Sequence, residues 1–195
     1  MKEKLRALIS PSTPGRRRFL CLGAAALALP FASKLRASAP RPRAPLPPDR
    51  GLAFFNIHSG ESVSVAYCRD GALVPESLAK INRVLRDTRT NEVREIDVAL
   101  LDLLVLLARD LPSREPFHVI SGYRSRTTNE YLRTHGGGGV VANSLHLVGR
   151  AVDIRVPGVA LKDLYRAAVS LRAGGVGIYP ASDFVHVDIG RVRTW

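Results

Sequence analysis

The stretch Ser144-Leu-His146-Leu-Val-Gly149-Arg-Ala151-Val-Asp153-Ile-Arg155-Val156 decides how the chain is read. Its second half alternates. With the side-chain period of two of a β-strand, Val152, Ile154 and Val156 fall on one face, and Ala151, Asp153 and Arg155 on the other. An acid in the middle of a short apolar strand is costly unless something charged meets it. His146 lies in the loop that feeds this strand, and Gly149 lets the backbone turn closely enough to bring the imidazole to Asp153. A second alternating run, Phe184-Val-His186-Val-Asp188, turns Val185 and Val187 toward a core and puts His186 and Asp188 together on the opposite face.

Two neutral imidazoles and one carboxylate, here His146, His186 and Asp153, are a common set of three protein ligands for a catalytic zinc, with a fourth position left for water. The set carries one negative charge, so a Zn²⁺ ion in it would stay net positive, acidify a water and polarise a carbonyl. A buried His–Asp hydrogen-bonded pair without a metal fits the same spacing, and periodicity alone does not separate the two readings.

Around this centre the chain breaks into short elements. Residues 52–57 and 62–67 are β-rich runs on either side of Ser59-Gly60, which predicts a hairpin, and Arg69-Asp70-Gly71 makes a following turn. Helical spacing of Leu78, Ile81 and Leu85 predicts a helix over 75–86, opened by Pro75. The strongest helix is 96–111, apolar on almost every face, with Asp97 near its start and Pro112 beyond its end; it reads as a buried central helix. Strands over 117–121, 151–156, 176–179 and 184–189 alternate irregularly with helices over 127–133 and 161–171, and a glycine loop occupies 136–139. The expectation is a single α+β domain with a small, mainly antiparallel sheet and packed helices.

The 195 residues suit one domain plus a tail, and the hydrophobic share of 46% against 24% charged excludes wholesale disorder and a multi-span membrane protein. The formal charge of +12 invites a nucleic-acid reading, but residues 1–39 hold eight basic residues and one acid, so most of the excess lies in the tail. No helix carries a basic stripe, and nucleic acid is not an expected partner. In the tail, Arg16-Arg17-Arg18-Phe19-Leu20 leads into an apolar run over 21–32, too short to span a membrane but suited to the core of an export signal. The paired arginines resemble a twin-arginine signal, with an ordinary secretory signal as the alternative. Residues 1–39 are therefore the expected signal segment, read by twin-arginine export machinery, and residues 40–50, nearly half proline, an extended linker. Ala37-Ser38-Ala39 has the form of a cleavage site, although Pro40 beyond it is unfavourable. Without the tail, Cys68 is the sole cysteine and no intrachain disulfide forms.

Several motifs occur in order: Ser121-Gly-Tyr-Arg124-Ser125, the Ser144–Asp153 stretch, Gly175-Val-Gly177-Ile-Tyr179-Pro180, and Phe184–Asp188. This set resembles the zinc D,D-peptidases that share their fold with hedgehog signalling domains, and within them the exported murein endopeptidase K-like branch. The similarity takes in Asn56-Ile-His58-Ser-Gly-Glu61, Leu85-Arg86-Asp87-Thr-Arg89-Thr90 and the ending Gly190-Arg-Val-Arg193-Thr-Trp195, so it covers nearly all of 52–195. It implies a periplasmic zinc peptidase domain over 51–195 that hydrolyses peptide crosslinks of peptidoglycan, with the peptide stems as its partners and Zn²⁺ on His146, Asp153 and His186. It further implies Asp183, three residues before the last ligand, as the base that takes a proton from the attacking water. Asp188 is suited to orienting an imidazole, with a rival reading as the base itself. Arg124 stabilises the oxyanion or holds a substrate carboxylate. Ser144 binds substrate or shapes its turn. A non-catalytic zinc-containing wall-binding module of hedgehog type and a D,D- or L,D-carboxypeptidase are the alternatives. His58 and His118 read as structural, and His135 beside Gly136–Gly139 as a solvated loop residue.

Overall fold

A computed structural model describes residues 45–136 and 139–195; the expected signal segment of 1–39 and the start of the linker lie outside the described residues. Eight strands form one sheet: β1 (Arg50–Asn56), β2 (Ser62–Arg69), β3 (Ala72–Leu73), β4 (Phe117–Ser121), β5 (Ala151–Arg155), β6 (Gly175–Tyr179), β7 (Phe184–Asp188) and β8 (Arg193–Thr194). Their order across the sheet is β3-β2-β1-β4-β5-β7-β6-β8. Four helices accompany it: α1 (Pro75–Val84), α2 (Val98–Asp110), α3 (Arg126–His135) and α4 (Leu161–Ser170).

The α+β class holds, but the sheet corrects the expectation of a small, mainly antiparallel one. It is an open, mixed sheet in which β1 pairs β4 in parallel and β8 pairs β6 in parallel. The first parallel pair arises because α1 and α2 intervene between the β1–β3 hairpins and β4, and helical crossovers are what parallel neighbours need. The second arises because the chain turns after β7 and runs back along the far side of β6.

Helix α2 begins at Asp97, whose side chain accepts the Ala99 N–H at 3.0 Å, and buries Leu100, Leu101, Leu103, Leu104, Val105 and Leu107. It is not apolar all round. Asp102 accepts from Tyr67 Oη at 2.7 Å and forms an ion pair with Arg50, its Oδ1 3.0 Å from Nε, which gives the helix one polar anchor to the hairpin.

The centre of the sheet positions the site. Strand β5 lies between β4 and β7, and Ala151, Val152, Asp153 and Ile154 are all buried, so both of its faces are covered. Register places Ser121 of β4, Asp153 of β5, His186 of β7 and Gly177 of β6 in one row across four strands. Directly opposed residues share a face with Cβ atoms about 5 Å apart, so Asp153 and His186 are side-chain neighbours although a helix and a strand separate them in sequence.

Candidate metal centre

His146 sits not in an open loop but in a short 3-10 turn, Leu145–Val148, capped by the Ser144 hydroxyl, which accepts the His146 N–H at 3.3 Å. The turn ends at Gly149 with φ +67, where a Cβ would strike the Glu95 carbonyl, so the position demands glycine. Gly149 O also accepts the Asp97 N–H at 3.0 Å, tying the turn to the start of α2.

Three donor atoms converge. Asp153 Oδ1 lies 3.2 Å from His146 Nε2 and 2.8 Å from His186 Nδ1, and those two nitrogens are 3.2 Å apart. The outer nitrogens decide which lone pairs point inward. His146 Nδ1 donates to Gly122 O at 2.7 Å, leaving Nε2 as an acceptor. His186 Nε2 donates to Asp188 Oδ2 at 3.1 Å, leaving Nδ1 as an acceptor. Three acceptors facing one another in a buried site repel unless a cation sits among them. A tetrahedral ion with bonds of about 2.0–2.1 Å separates its donors by about 3.3 Å, close to the spacings here. The residues present fit a divalent metal, and the donor set of two imidazoles and a carboxylate suits a transition metal rather than calcium or magnesium.

For Asp153 and His146 the electrostatics agree. Burial pushes the Asp153 carboxyl up, but His146, His186 and Arg124 outweigh it and hold the group ionised far below the usual carboxylate range. Burial pulls His146 down, keeping it neutral as a ligand must be. Burial also pulls on His186, but the Asp153 and Asp188 carboxylates prevail and raise it, so a metal ion taken up among the ligands would displace a proton from Nδ1.

Around the cluster, Arg124 Nη2 bonds the other oxygen of Asp153 at 2.5 Å and its Nε donates to Ser121 Oγ at 2.9 Å. Asp188 is fully buried and both oxygens are occupied: Oδ1 accepts the N–H groups of Gly175 and Gly190 and Arg193 Nη1, and Oδ2 accepts from His186 and Arg193 Nη2. An acid so saturated orients an imidazole and has no lone pair to spare for a water. Asp183 takes a different position. It follows a 3-10 turn with φ +51, and its exposed carboxylate pairs with Arg155 Nη1 at 3.0 Å in a neighbouring small cavity, away from the three ligands. Ser182 and Phe184 on either side of it line the main cavity.

That cavity, about 910 Å³, contains the cluster and also Arg124, Ser144 and His58. His58 Nε2 bonds Ile120 O at 3.1 Å, His118 packs against Phe55, and His135 stacks on Tyr131 at the end of α3. Residues 137–138 of the glycine loop lie outside the described residues. Sequence reasoning assigned no role to Arg193 or Trp195, which the structure brings to the site. The Trp195 ring lies 5.3 Å from His186, its Nε1 donates to Tyr179 Oη at 2.7 Å, and it occupies the space a side chain at Gly177 would need. Their places depend on β8, a two-residue strand with no periodic signal.

A family model described as peptidoglycan L,D-endopeptidase MepK matches residues 45–195. The peptidoglycan L,D-endopeptidase MepK of Escherichia coli (strain K12) is 42% identical over 183 residues, covering 92% of this chain and 96% of that protein. A probable peptidoglycan L,D-endopeptidase MepK of Haemophilus influenzae is 40% identical over 184 residues, covering 92% and 95%.

Proposed function

The chain belongs to the peptidoglycan L,D-endopeptidase MepK family, and from that premise we propose that it is an exported zinc endopeptidase cutting peptide crosslinks of peptidoglycan. The observation that carries the chemistry is the convergence of His146 Nε2, His186 Nδ1 and Asp153 Oδ1, with both imidazole tautomers set by hydrogen bonds on their far sides. Zinc is the metal that suits this donor set and these spacings. Bound there, it would supply Lewis acidity toward a scissile carbonyl and toward water.

The protein's own groups do the rest. Gly122 O and Asp188 hold the two imidazoles in their ligand tautomers. Arg124 grips Asp153 through Nη2, while Nη1, outside both of its bonds, is available at the cavity wall for the charge that develops on the carbonyl oxygen. Asp183 is the base: it accepts a proton from the attacking water and returns it to the leaving amine. Its ion pair with Arg155 joins side chains 40% and 62% exposed, and such surface pairs contribute only about 0–1 kcal/mol, so little holds the carboxylate away from the cavity beside it. Ser144 shapes the turn under His146. The hydrolase domain spans 51–195 behind a proline-rich linker over 40–50, and residues 1–39 direct it through the twin-arginine route to the periplasm. Among the described residues no helix is long and apolar enough to cross a membrane.

The test combines metal analysis with digestion of crosslinked muropeptides. Wild type should hold about one zinc per chain and cleave crosslinks, as the three-ligand site requires. His146→Ala should lose both. Asp183→Asn should keep the metal and lose cleavage; full activity in that variant would remove Asp183 from the mechanism. Release of terminal residues in place of crosslink cleavage would turn the reading to a carboxypeptidase.

A further inference from the structure

Four arginines line the large cavity: Arg86, Arg89, Arg124 and Arg193. Three are neutralised within the protein, Arg86 by Glu61, Arg124 by Asp153 and Arg193 by Asp188. Arg89 is the exception. Among the described residues its guanidinium meets no carboxylate, and it lies over the face of the Tyr131 ring, 5.7 Å from the centroid. Stacking on an aromatic face leaves the edge of the guanidinium, where its N–H groups are, open to an anion.

The loop that carries Arg89 is built with unusual care for an exposed cation. Asp87, 3% exposed, accepts the N–H of Arg89 at 2.9 Å through Oδ1 and that of Ser125 at 2.8 Å through Oδ2. The Asp87 N–H in turn donates to Glu92 O at 3.0 Å, and Asn91, in the left-handed region at φ +58, accepts from Arg86 Nε at 3.1 Å. One buried carboxylate thus ties the backbone of Arg89 to the residue after Arg124. Burying an acid costs free energy unless its hydrogen bonds compensate, and here they fix a loop whose outward product is one unpaired positive charge on the wall of the site.

We propose that Arg89 is a substrate-binding residue that recognises an ionised carboxylate of the peptide stem flanking the scissile bond. The proposal rests on the peptidase reading and extends it to the part of the substrate that is not cleaved. An arginine held over an aromatic ring binds a carboxylate through two parallel N–H groups, a geometry lysine does not reproduce.

The experiment compares crosslinked muropeptides whose carboxyls are all free with counterparts amidated at one carboxyl at a time, using metal-loaded wild type, Arg89→Ala and Arg89→Lys. In wild type, amidation at one position should raise KM about tenfold with kcat nearly unchanged, the effect of one charge-assisted contact made in both ground and transition states. Arg89→Ala should raise KM by a similar factor for the free substrate and erase the difference between free and amidated forms, with Arg89→Lys in between. An Arg89→Ala protein that still discriminates against the same amide, or a wild type indifferent to amidation at every position, overturns the proposal. If wild type cleaves none of the peptides, the peptidase reading fails by itself. Equilibrium binding of the same peptides to wild type and Arg89→Ala then decides the carboxylate site, by the presence or absence of a difference between free and amidated forms.

Discussion

Two cavities open beside β5, and they use the same three residue types to different ends. In the large one, Asp153 is buried beside His146, His186 and Arg124. In the small one, about 300 Å³, Asp183 faces Arg155, with His118 on the wall. Asp153 and Arg155 are two residues apart on one strand and so share a face. What separates the two clusters is solvent. The Asp153 side chain is 4% exposed and that of Asp183 62%, so the first must be compensated by every group around it while the second is largely compensated by water. A buried cluster of this kind is committed to one geometry, and an exposed pair is free to rearrange, which is what the proposed metal site and the proposed base respectively require.

The contrast breaks first, and with the largest effect, at Asp153. Asp153→Asn keeps the shape but removes the charge that balances a cation, so it should abolish metal binding and reduce crosslink cleavage by at least about 10³-fold. Metal analysis and muropeptide digestion on the same preparation check it; retained metal with retained activity would mean that the three acceptors do not form the centre.

Asp188 sharpens the same contrast from behind. Asp188→Asn leaves His186 without its ionised partner, and loss of such a partner costs roughly 10–100-fold in metal affinity. Competition with a chelator of known affinity measures the loss. Because Arg193 and the Gly175 and Gly190 N–H groups also converge on Asp188, the variant should be less stable too, and the affinity is to be read below its unfolding transition.

How much of this was legible in the chain follows from what each feature depends on. Parity along β5 and β7 put Asp153, His186 and Asp188 on polar faces because a period of two is a local property, and the structure agrees. The adjacency of β5 and β7 is not local, since α4 and β6 lie between them; periodicity left a metal site and a simple His–Asp pair equally open, and what register adds is that Asp153 and His186 stand side by side. The direction of Asp183 was hidden for a related reason. A φ of +51 at a non-glycine residue turns its side chain toward Arg155, and no pattern of residue types announces that. Arg193 and Trp195 escaped because β8 is two residues long, and the unpaired state of Arg89 is visible only once every other arginine of the cavity has found its acid.

A third carboxylate, Asp87, is as buried as Asp153 but is held by N–H groups and hydroxyls in place of cations, and it tests whether burial is the variable that matters. Burial pushes its carboxyl up, but the nearby Thr128 hydroxyl, the N–H and hydroxyl of Ser125 and the N–H of Arg89 together prevail and lower it to about 2. A folded value below the unfolded one means that the stabilisation is present in full above about pH 4 and fades as pH falls toward 2. Asp87→Ala strands those N–H groups and should cost about 1–3 kcal/mol at neutral pH. The gap between variant and wild type should narrow steadily below pH 4, as followed by denaturant unfolding at each pH. A gap independent of pH would mean that the side chain's packing, and not its charge, holds the loop.

The smallest effect is expected at Arg155, and its smallness is the point. Removing one partner of an exposed ion pair changes stability by about 0–1 kcal/mol, so Arg155→Ala should unfold close to wild type in a thermal scan. Cleavage should be kept or raised by about fivefold at most, since freeing Asp183 from a pair worth less than about 1 kcal/mol can shift its population no further. If Arg155→Ala destroyed activity while the metal stayed in place, the pair would have to be part of the working arrangement, and Asp183 would act where it now lies and not by turning toward the ligands. The two cavities would then be one functional unit joined through β5, and the exposure that distinguishes them would no longer explain what they do.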